Sequence, residues 1–272
     1  MTPQQAVAVN RRYWQRVAMD RNRWLAASDG REWLARLRAG GTTLLEGEPA
    51  SDGSRGEAEL LSRLNGARLL HVGCGPGYES LSWANLGARV VSVDLAEENL
   101  AEAGRLAQAV DRKLLPVAAD ALRLPLRDNS FSAAYVAGLI QWIPDLHTLF
   151  AELYRVLRRA GRLLVVEEHP LQMVLDDERD PPVPRYRYED GAGLHINSMD
   201  RAAWPMPPGT TLDTADYLWT TATLVTALLQ AGFELRKLLE PRWNITGPTV
   251  PAIDGSQTML PTVLVVLAVK PA

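Results

Sequence analysis

Three glycines alternate in Leu69-Leu70-His71-Val72-Gly73-Cys74-Gly75-Pro76-Gly77-Tyr78, directly after an apolar run. An apolar run that breaks into glycines and opens into a helix is the strand–loop–helix unit that cradles an adenosyl ligand. Gly73, Gly75 and Gly77 let the backbone come close to such a ligand and take φ values that other residues resist. Tyr78 stands where the dinucleotide pattern G-x-G-x-x-G has its last glycine. Pro76 removes one of the N–H groups that a pyrophosphate needs at the helix start. Both departures disfavour NAD or FAD. Downstream, Ala88-Arg89-Val90-Val91-Ser92-Val93-Asp94 reads as a second buried strand ending in a carboxylate. An acid at the tip of strand two can accept from both ribose hydroxyls, a contact that NAD and S-adenosylmethionine sites share. Asp94 therefore indicates adenosine without choosing between them.

A third element separates the two. After a short strand (Leu114 to Ala118) come Asp120-Ala121-Leu122-Arg123-Leu124-Pro125-Leu126 and Arg127-Asp128-Asn129-Ser130-Phe131-Ser132. A further strand then leads into Gly138-Leu139-Ile140-Gln141-Trp142-Ile143-Pro144-Asp145. In this order of motifs the chain resembles the class I S-adenosylmethionine-dependent methyltransferases, in particular their small-molecule branch, over roughly Ala67 to Glu168. The resemblance implies a Rossmann-like, seven-stranded, mostly parallel sheet with helices on both faces and an antiparallel last strand. It implies S-adenosylmethionine as cofactor, S-adenosylhomocysteine as product and a small-molecule methyl acceptor.

The same resemblance implies roles for individual residues. Gly73 and Gly75 would lie against the methionine end of the cofactor, Asp94 would hold the ribose diol and Leu95 would pack on the adenine. The Asp120 carboxylate would accept from the adenine amino group, the Ala121 N–H would meet a ring nitrogen, and the carbonyl near Gly138 would face the methionine ammonium. Tyr13 and Trp142 are the aromatic side chains expected to cover the cofactor, where ring faces can attract a sulfonium. Gln141-Trp142 stand where relatives often carry histidines, which leaves the catalytic base open.

Methyl transfer asks little of the protein beyond holding a nucleophile in line with the S–CH3 bond, and positioning alone can supply on the order of 7–11 kcal/mol. A general base adds about 10²–10⁴-fold where the acceptor must lose a proton. The candidates are His195, in the Gly-rich stretch Asp190 to His195 of an expected lid loop, and Glu168 and His169 at the end of strand five. Against each stands a plainer reading: a surface histidine, a solvated strand end, and a residue that turns the chain before Pro170. His71 is expected to be a satisfied core histidine and His147 an exposed helix residue. No metal is expected.

These residues need a frame. Residues 1–60 read as a helical cap, with Tyr13, Trp14, Val17, Trp24 and Leu25 at roughly helical spacing. Residues 61–272 read as the cofactor-binding domain, in which strands and helices alternate from Arg68 to Glu168 as in a parallel sheet wound on both faces. Residues 170–214, rich in proline, aromatics and charge, read as an insertion that serves as a substrate lid. The core resumes with a helix (Thr221 to Gln230) and two strands (Phe233 to Leu239, Thr262 to Val269). Ligands of such sheets bind at the carboxyl ends of the strands, where the glycine loop, Asp94, Asp120, Gly138 and Glu168 all fall.

Bulk properties narrow the function further. The 272 residues carry a net charge of −3, with 47% hydrophobic and 22% charged residues, the range of a globular enzyme. Nucleic-acid binders tend to be basic, so no nucleic-acid partner is expected; Arg11, Arg12, Arg16, Arg21 and Arg23 read as the solvated face of a helix. No apolar run approaches the ~18–20 residues of a membrane span, and a cytoplasmic location is expected. A homodimer is left open. The single cysteine excludes an internal disulfide and a three-cysteine iron–sulfur site. No Asn/Asp-Pro-Pro-aromatic motif follows strand four, which argues against methylation of exocyclic base amines. Two alternatives remain: a protein that binds the cofactor without turnover, and an NAD-dependent oxidoreductase on a related fold.

Overall fold

Five apolar segments, Arg68–Val72 (β1), Arg89–Asp94 (β2), Leu114–Ala118 (β3), Phe131–Ala137 (β4) and Leu157–Glu168 (β5), pair in parallel in the computed structural model. The structure describes all residues except 25–27, 177–181, 189–193, 200–211, 242, 244–248 and 253. Two later strands, Glu234–Leu239 (β8) and Val263–Val269 (β9), complete a seven-stranded sheet in the order β8-β9-β5-β4-β1-β2-β3. β9 runs antiparallel to both neighbours. This is the sheet expected from the sequence.

The strands read as continuous apolar runs because helices cover both faces. On one face, Leu70, Val72, Val93, Val136 and Val165 pack with helices Leu146–Val156 (α5) and Thr221–Gln230 (α6). The alternate residues Leu69, Val90, Tyr135, Leu164 and Val265 pack with Trp83, Trp243 and the segment around Leu60 and Leu61. Period-two alternation thus puts apolar residues on both sides of the sheet. Pro116 lies in β3, an edge strand, where its missing N–H costs no central hydrogen bond. Helix starts follow local chemistry: Asp145 accepts from Thr148 N–H at 3.1 Å and Thr220 from Thr223 N–H at 3.1 Å, as N-caps do.

The amino-terminal segment forms two helices, Pro3–Trp24 (α1) and Ser28–Arg38 (α2), and Arg11, Arg12 and Arg16 are exposed on α1. The region after β5 departs from the lid loop expected. It contains a short helix (Pro170–Val174) and a hairpin of Leu194–Met199 (β6) with Leu212–Tyr217 (β7). Asn10 of α1 locks onto β7: its amide donates to Ala215 C=O and accepts from Ala215 N–H, both at 2.8 Å. The helix and the hairpin therefore form one layer over the carboxyl ends of the strands. Among the described residues, no helix is long and apolar enough to cross a membrane.

Candidate cofactor site

β1 delivers Gly73, Gly75 and Gly77 into a loop that turns at positive φ at each glycine, and Tyr78–Asn85 (α3) begins immediately after. A cavity of ≈ 450 Å³ opens over this loop, and Gly73, Gly75, Asp94, Leu95, Asp120, Ala121, Gly138 and Trp142 all line it. Strand tips gather these residues from four separate segments, as the topology requires. Val7, Asn10 and Trp14 of α1 close the cavity from above.

Asp94 organises the loop. The residue is 8% exposed; its Oδ2 accepts from Gly75 N–H at 2.8 Å and its Oδ1 from Ala96 N–H at 2.9 Å. Asn99, on the first turn of Glu97–Ala109 (α4), donates its Nδ2 to the same Oδ1 at 3.1 Å. Asn99 is 2% exposed and lines the cavity, yet its Oδ1 has no hydrogen-bond partner. A buried carbonyl oxygen without a donor is costly unless a ligand supplies one. Two adjoining acceptors at the tip of β2 suit a vicinal diol. Asp120 Oδ1 accepts from Leu122 N–H at 2.9 Å and so fixes the turn that presents Ala121.

Gly73 takes φ +73°, and a Cβ there would come within 2.8 Å of Leu139 Cδ1. At Gly138, with φ +60°, nothing stands within 4 Å of an added Cβ, so the chain lies open to the cavity. Gly77 departs from the expected ligand contact. It lies outside the cavity lining, and a Cβ there would sit 2.8 Å from Ala103 Cβ on α4, so its bareness serves close helix packing. Tyr78, buried against α3's neighbours, fills the place of a third dinucleotide glycine.

The aromatic cover differs in one respect from the expectation. Trp142 lines the cavity and its Nε1 has no partner. Tyr13 is stacked behind Trp142 with ring centroids 5.8 Å apart, while Trp14 meets Trp142 edge-on at 5.1 Å and lines the cavity itself. Neighbouring residues of one helix point in different directions, so the cover passes from Tyr13 to Trp14.

The three candidate bases separate. His169 is 3% exposed and caps the helix Pro170–Val174: Nδ1 accepts from Leu171 N–H at 3.2 Å. Nε2 must then carry the proton, and it donates to Glu240 Oε1 at 2.9 Å. With both nitrogens engaged and the side chain outside the cavity lining, His169 is a structural residue. Glu168 is exposed and lines a second cavity beside the first. His195 lies in strand β6, paired with Asp216, rather than in a loop; its side chain lies outside the described residues, as does Trp204. His71 is a satisfied core histidine, with Nδ1 2.8 Å from Ser80 Oγ and burial pushing it down to about 3. His147 is exposed. Cys74 lines the cavity, but burial first and the Asp94 and Glu79 charges second hold its thiol protonated, which removes it as a nucleophile. Among the described residues, no cluster of His, Cys, Asp or Glu could hold a metal.

Sequence reasoning missed Asn99 as a cavity residue. Its signal was position: one turn into the helix that follows the acid of strand two.

Comparison with known proteins gives the same reading. Residues 70–165 match the family model described as a methyltransferase domain. A malonyl-[acyl-carrier protein] O-methyltransferase of Serratia marcescens is 39% identical over 99 residues, which is 36% of this chain and 37% of that protein. A sterol 4-C-methyltransferase of Caenorhabditis elegans is 30% identical over 159 residues, 55% of this chain and 47% of that one. The chain thus spans less than half the length of either relative. Among solved structures, an S-adenosylmethionine-dependent methyltransferase from Mesorhizobium loti superposes with a TM-score of 0.57 at 23% identity, over 78% of this chain and 94% of that one. A second, from Methanosarcina mazei, gives 0.57 at 21% over 78% and 95%; these two likenesses speak for the fold. Sheet order, glycine loop and family match together make residues 70–165 a class I S-adenosylmethionine-dependent methyltransferase domain.

Proposed function

We propose that the protein transfers a methyl group from S-adenosylmethionine to a small-molecule acceptor. The observation that carries this reading is the pair of acceptors at the tip of β2: Asp94 and the unpartnered Asn99 Oδ1 face a cavity floored by open glycine backbone. In this reading Asp94 and Asn99 hold the ribose hydroxyls, Leu95 and Ala121 flank the adenine, Asp120 accepts from its amino group, and the Gly73–Gly75 and Gly138 backbones meet the methionine end. The bound cofactor supplies an activated sulfonium methyl. The chain's own residues orient the acceptor and exclude water.

Residues 1–60 serve as the cap and the insertion 170–214 as the lid. Support comes from Asn10, whose clamp on Ala215 couples α1 to the β6–β7 hairpin, and from Trp14 and Trp142, which cover the cavity. A coupled roof can open and close as a unit over the reacting centre. The named relatives methylate oxygen or carbon, and they align with only 36% and 55% of this chain. The acceptor is therefore read from the cavity beyond Gly138. The test is release of S-adenosylhomocysteine from S-adenosylmethionine in the presence of a panel of amines, phenols, carboxylates and enolisable carbonyl compounds. Acceptor-dependent release supports the proposal. Tight cofactor binding with no release across the panel would favour a non-catalytic binding protein.

A further inference from the structure

A second cavity of ≈ 470 Å³ adjoins the cofactor cavity and shares Glu79, Ala137 and Gly138 with it. Four carboxylates line it, from Glu57, Glu79, Glu167 and Glu168, and among the described residues no lysine, arginine or histidine does. Each comes from a different structural requirement. Glu57 is 1% exposed and is held by Leu45 N–H at 3.0 Å and by the Tyr135 hydroxyl at 2.6 Å. Glu167, 7% exposed at the end of β5, uses Oε1 to accept from Leu139 N–H at 3.0 Å and Ile140 N–H at 3.2 Å. Its Oε2 has no hydrogen-bond partner among the described residues, although the side chain lines the cavity. Glu79 opens α3 at the junction of the two cavities, and Glu168 stands exposed at the mouth.

We propose that this cavity is the acceptor site and that it takes a small molecule bearing a basic amine, whose nitrogen receives the methyl group. The inference rests on the methyl-transfer reading above and adds the acceptor class to it. Burial is the main cause that pushes Glu57 up to about 7 and Glu167 up to about 8, with the charge of Glu79 acting on the first and that of Glu168 on the second. An ammonium among these groups offsets both costs, and the vacant Glu167 Oε2 is an acceptor for it. A carboxylate acceptor would add a further like charge, and a neutral ring would offer Glu167 Oε2 no proton to accept. In the reaction, Oε2 takes one N–H proton from the bound ammonium. The freed nitrogen lone pair forms the N–CH3 bond as the C–S bond breaks, and its electrons return to sulfur. The positive charge passes from the sulfonium to the methylated nitrogen, and the donor leaves as a neutral thioether.

The experiment uses the full chain and three probes of nearly equal shape: 2-phenylethylamine, 2-phenylethanol and 3-phenylpropanoate. Calorimetry first measures S-adenosylhomocysteine binding, then titrates each probe into protein saturated with it. The proposal expects the amine to bind at least ten-fold more tightly than the alcohol and the carboxylate to bind most weakly. Glu167→Gln keeps an oxygen for the Leu139 and Ile140 N–H groups, so it should fold, and it should weaken the amine at least five-fold. The affinity for S-adenosylhomocysteine should stay within three-fold in that variant, which separates an acceptor site from one holding the cofactor's own ammonium. Equal binding of amine and carboxylate to the saturated protein overturns this inference and leaves the cofactor reading standing. No binding of S-adenosylhomocysteine overturns the underlying reading instead.

Discussion

Replacing Asp94 by asparagine removes one carboxylate oxygen and leaves the shape of the side chain intact. In the native site Oδ1 takes two donors, Ala96 N–H and Asn99 Nδ2, and Oδ2 takes Gly75 N–H. The better orientation of the new amide keeps its oxygen on the first pair and turns its NH2 toward Gly75 N–H. Two donors then face each other inside a nearly buried turn, and Gly75 N–H is stranded. The stranded donor costs about 1–3 kcal/mol of stability with or without ligand, so the change in affinity comes from the ribose, which loses a hydrogen bond to a charged acceptor worth about 1.5–3 kcal/mol. With every 1.4 kcal/mol worth tenfold, S-adenosylhomocysteine should bind Asp94→Asn about 10- to 150-fold more weakly. Trp14 and Trp142 line the cavity, so quenching of tryptophan fluorescence by the ligand gives the affinity directly. The same strain acts in the free protein, at about 2–4 °C of melting temperature per kcal/mol. A folded Asp94→Asn protein whose affinity lies within threefold of the native value would refute the role given to this carboxylate.

Gly77→Ala places a Cβ 2.8 Å from Ala103 Cβ at φ +87°; left-handed strain and overpacking together should cost about 2–5 kcal/mol, read as a lower denaturation midpoint, and an unchanged midpoint contradicts the packing role. Asn10→Ala leaves both backbone groups of Ala215 without partners, so we expect a loss of about 1–3 kcal/mol and faster ligand escape in stopped-flow dissociation; unaltered dissociation would mean that the roof does not depend on this clamp. Glu57 is raised from 4.5 to about 7 by burial, so the folded state holds a proton that the unfolded chain has lost across that window. Stability from this group therefore falls as pH rises from 4.5 to 7, by about 3 kcal/mol. Melting of Glu57→Gln should accordingly match the native protein near pH 4.5 and exceed it at pH 8; a native advantage at pH 8 would reverse the sign of the argument.

The sheet was legible because each strand is an apolar run ended by a residue with one job: glycines after β1, Asp94 after β2, Asp120 after β3, Gly138 after β4. Parallel strands buried on both faces write that pattern plainly. What the sequence concealed depends on contacts far along the chain. His169 before Pro170 has the look of a base until Glu240 is brought to its Nε2 from 71 residues away. Gly77 follows two ligand-facing glycines, and only the approach of Ala103 on α4 shows that its bareness serves packing. Glu57 sits in a helix of four residues, too short to leave a periodic signal, and its partner Tyr135 lies on a central strand. The β6–β7 hairpin was hidden by strands of six residues, each mixing polar and apolar side chains.

The central claim is that the cavity over the glycine loop accepts an adenosyl sulfonium donor. Isothermal titration of the purified chain with S-adenosylhomocysteine and, separately, with NAD tests it most directly. The account predicts stoichiometric, saturable binding of the first at one site per chain and none of the second. Binding of NAD with no heat from S-adenosylhomocysteine would contradict it.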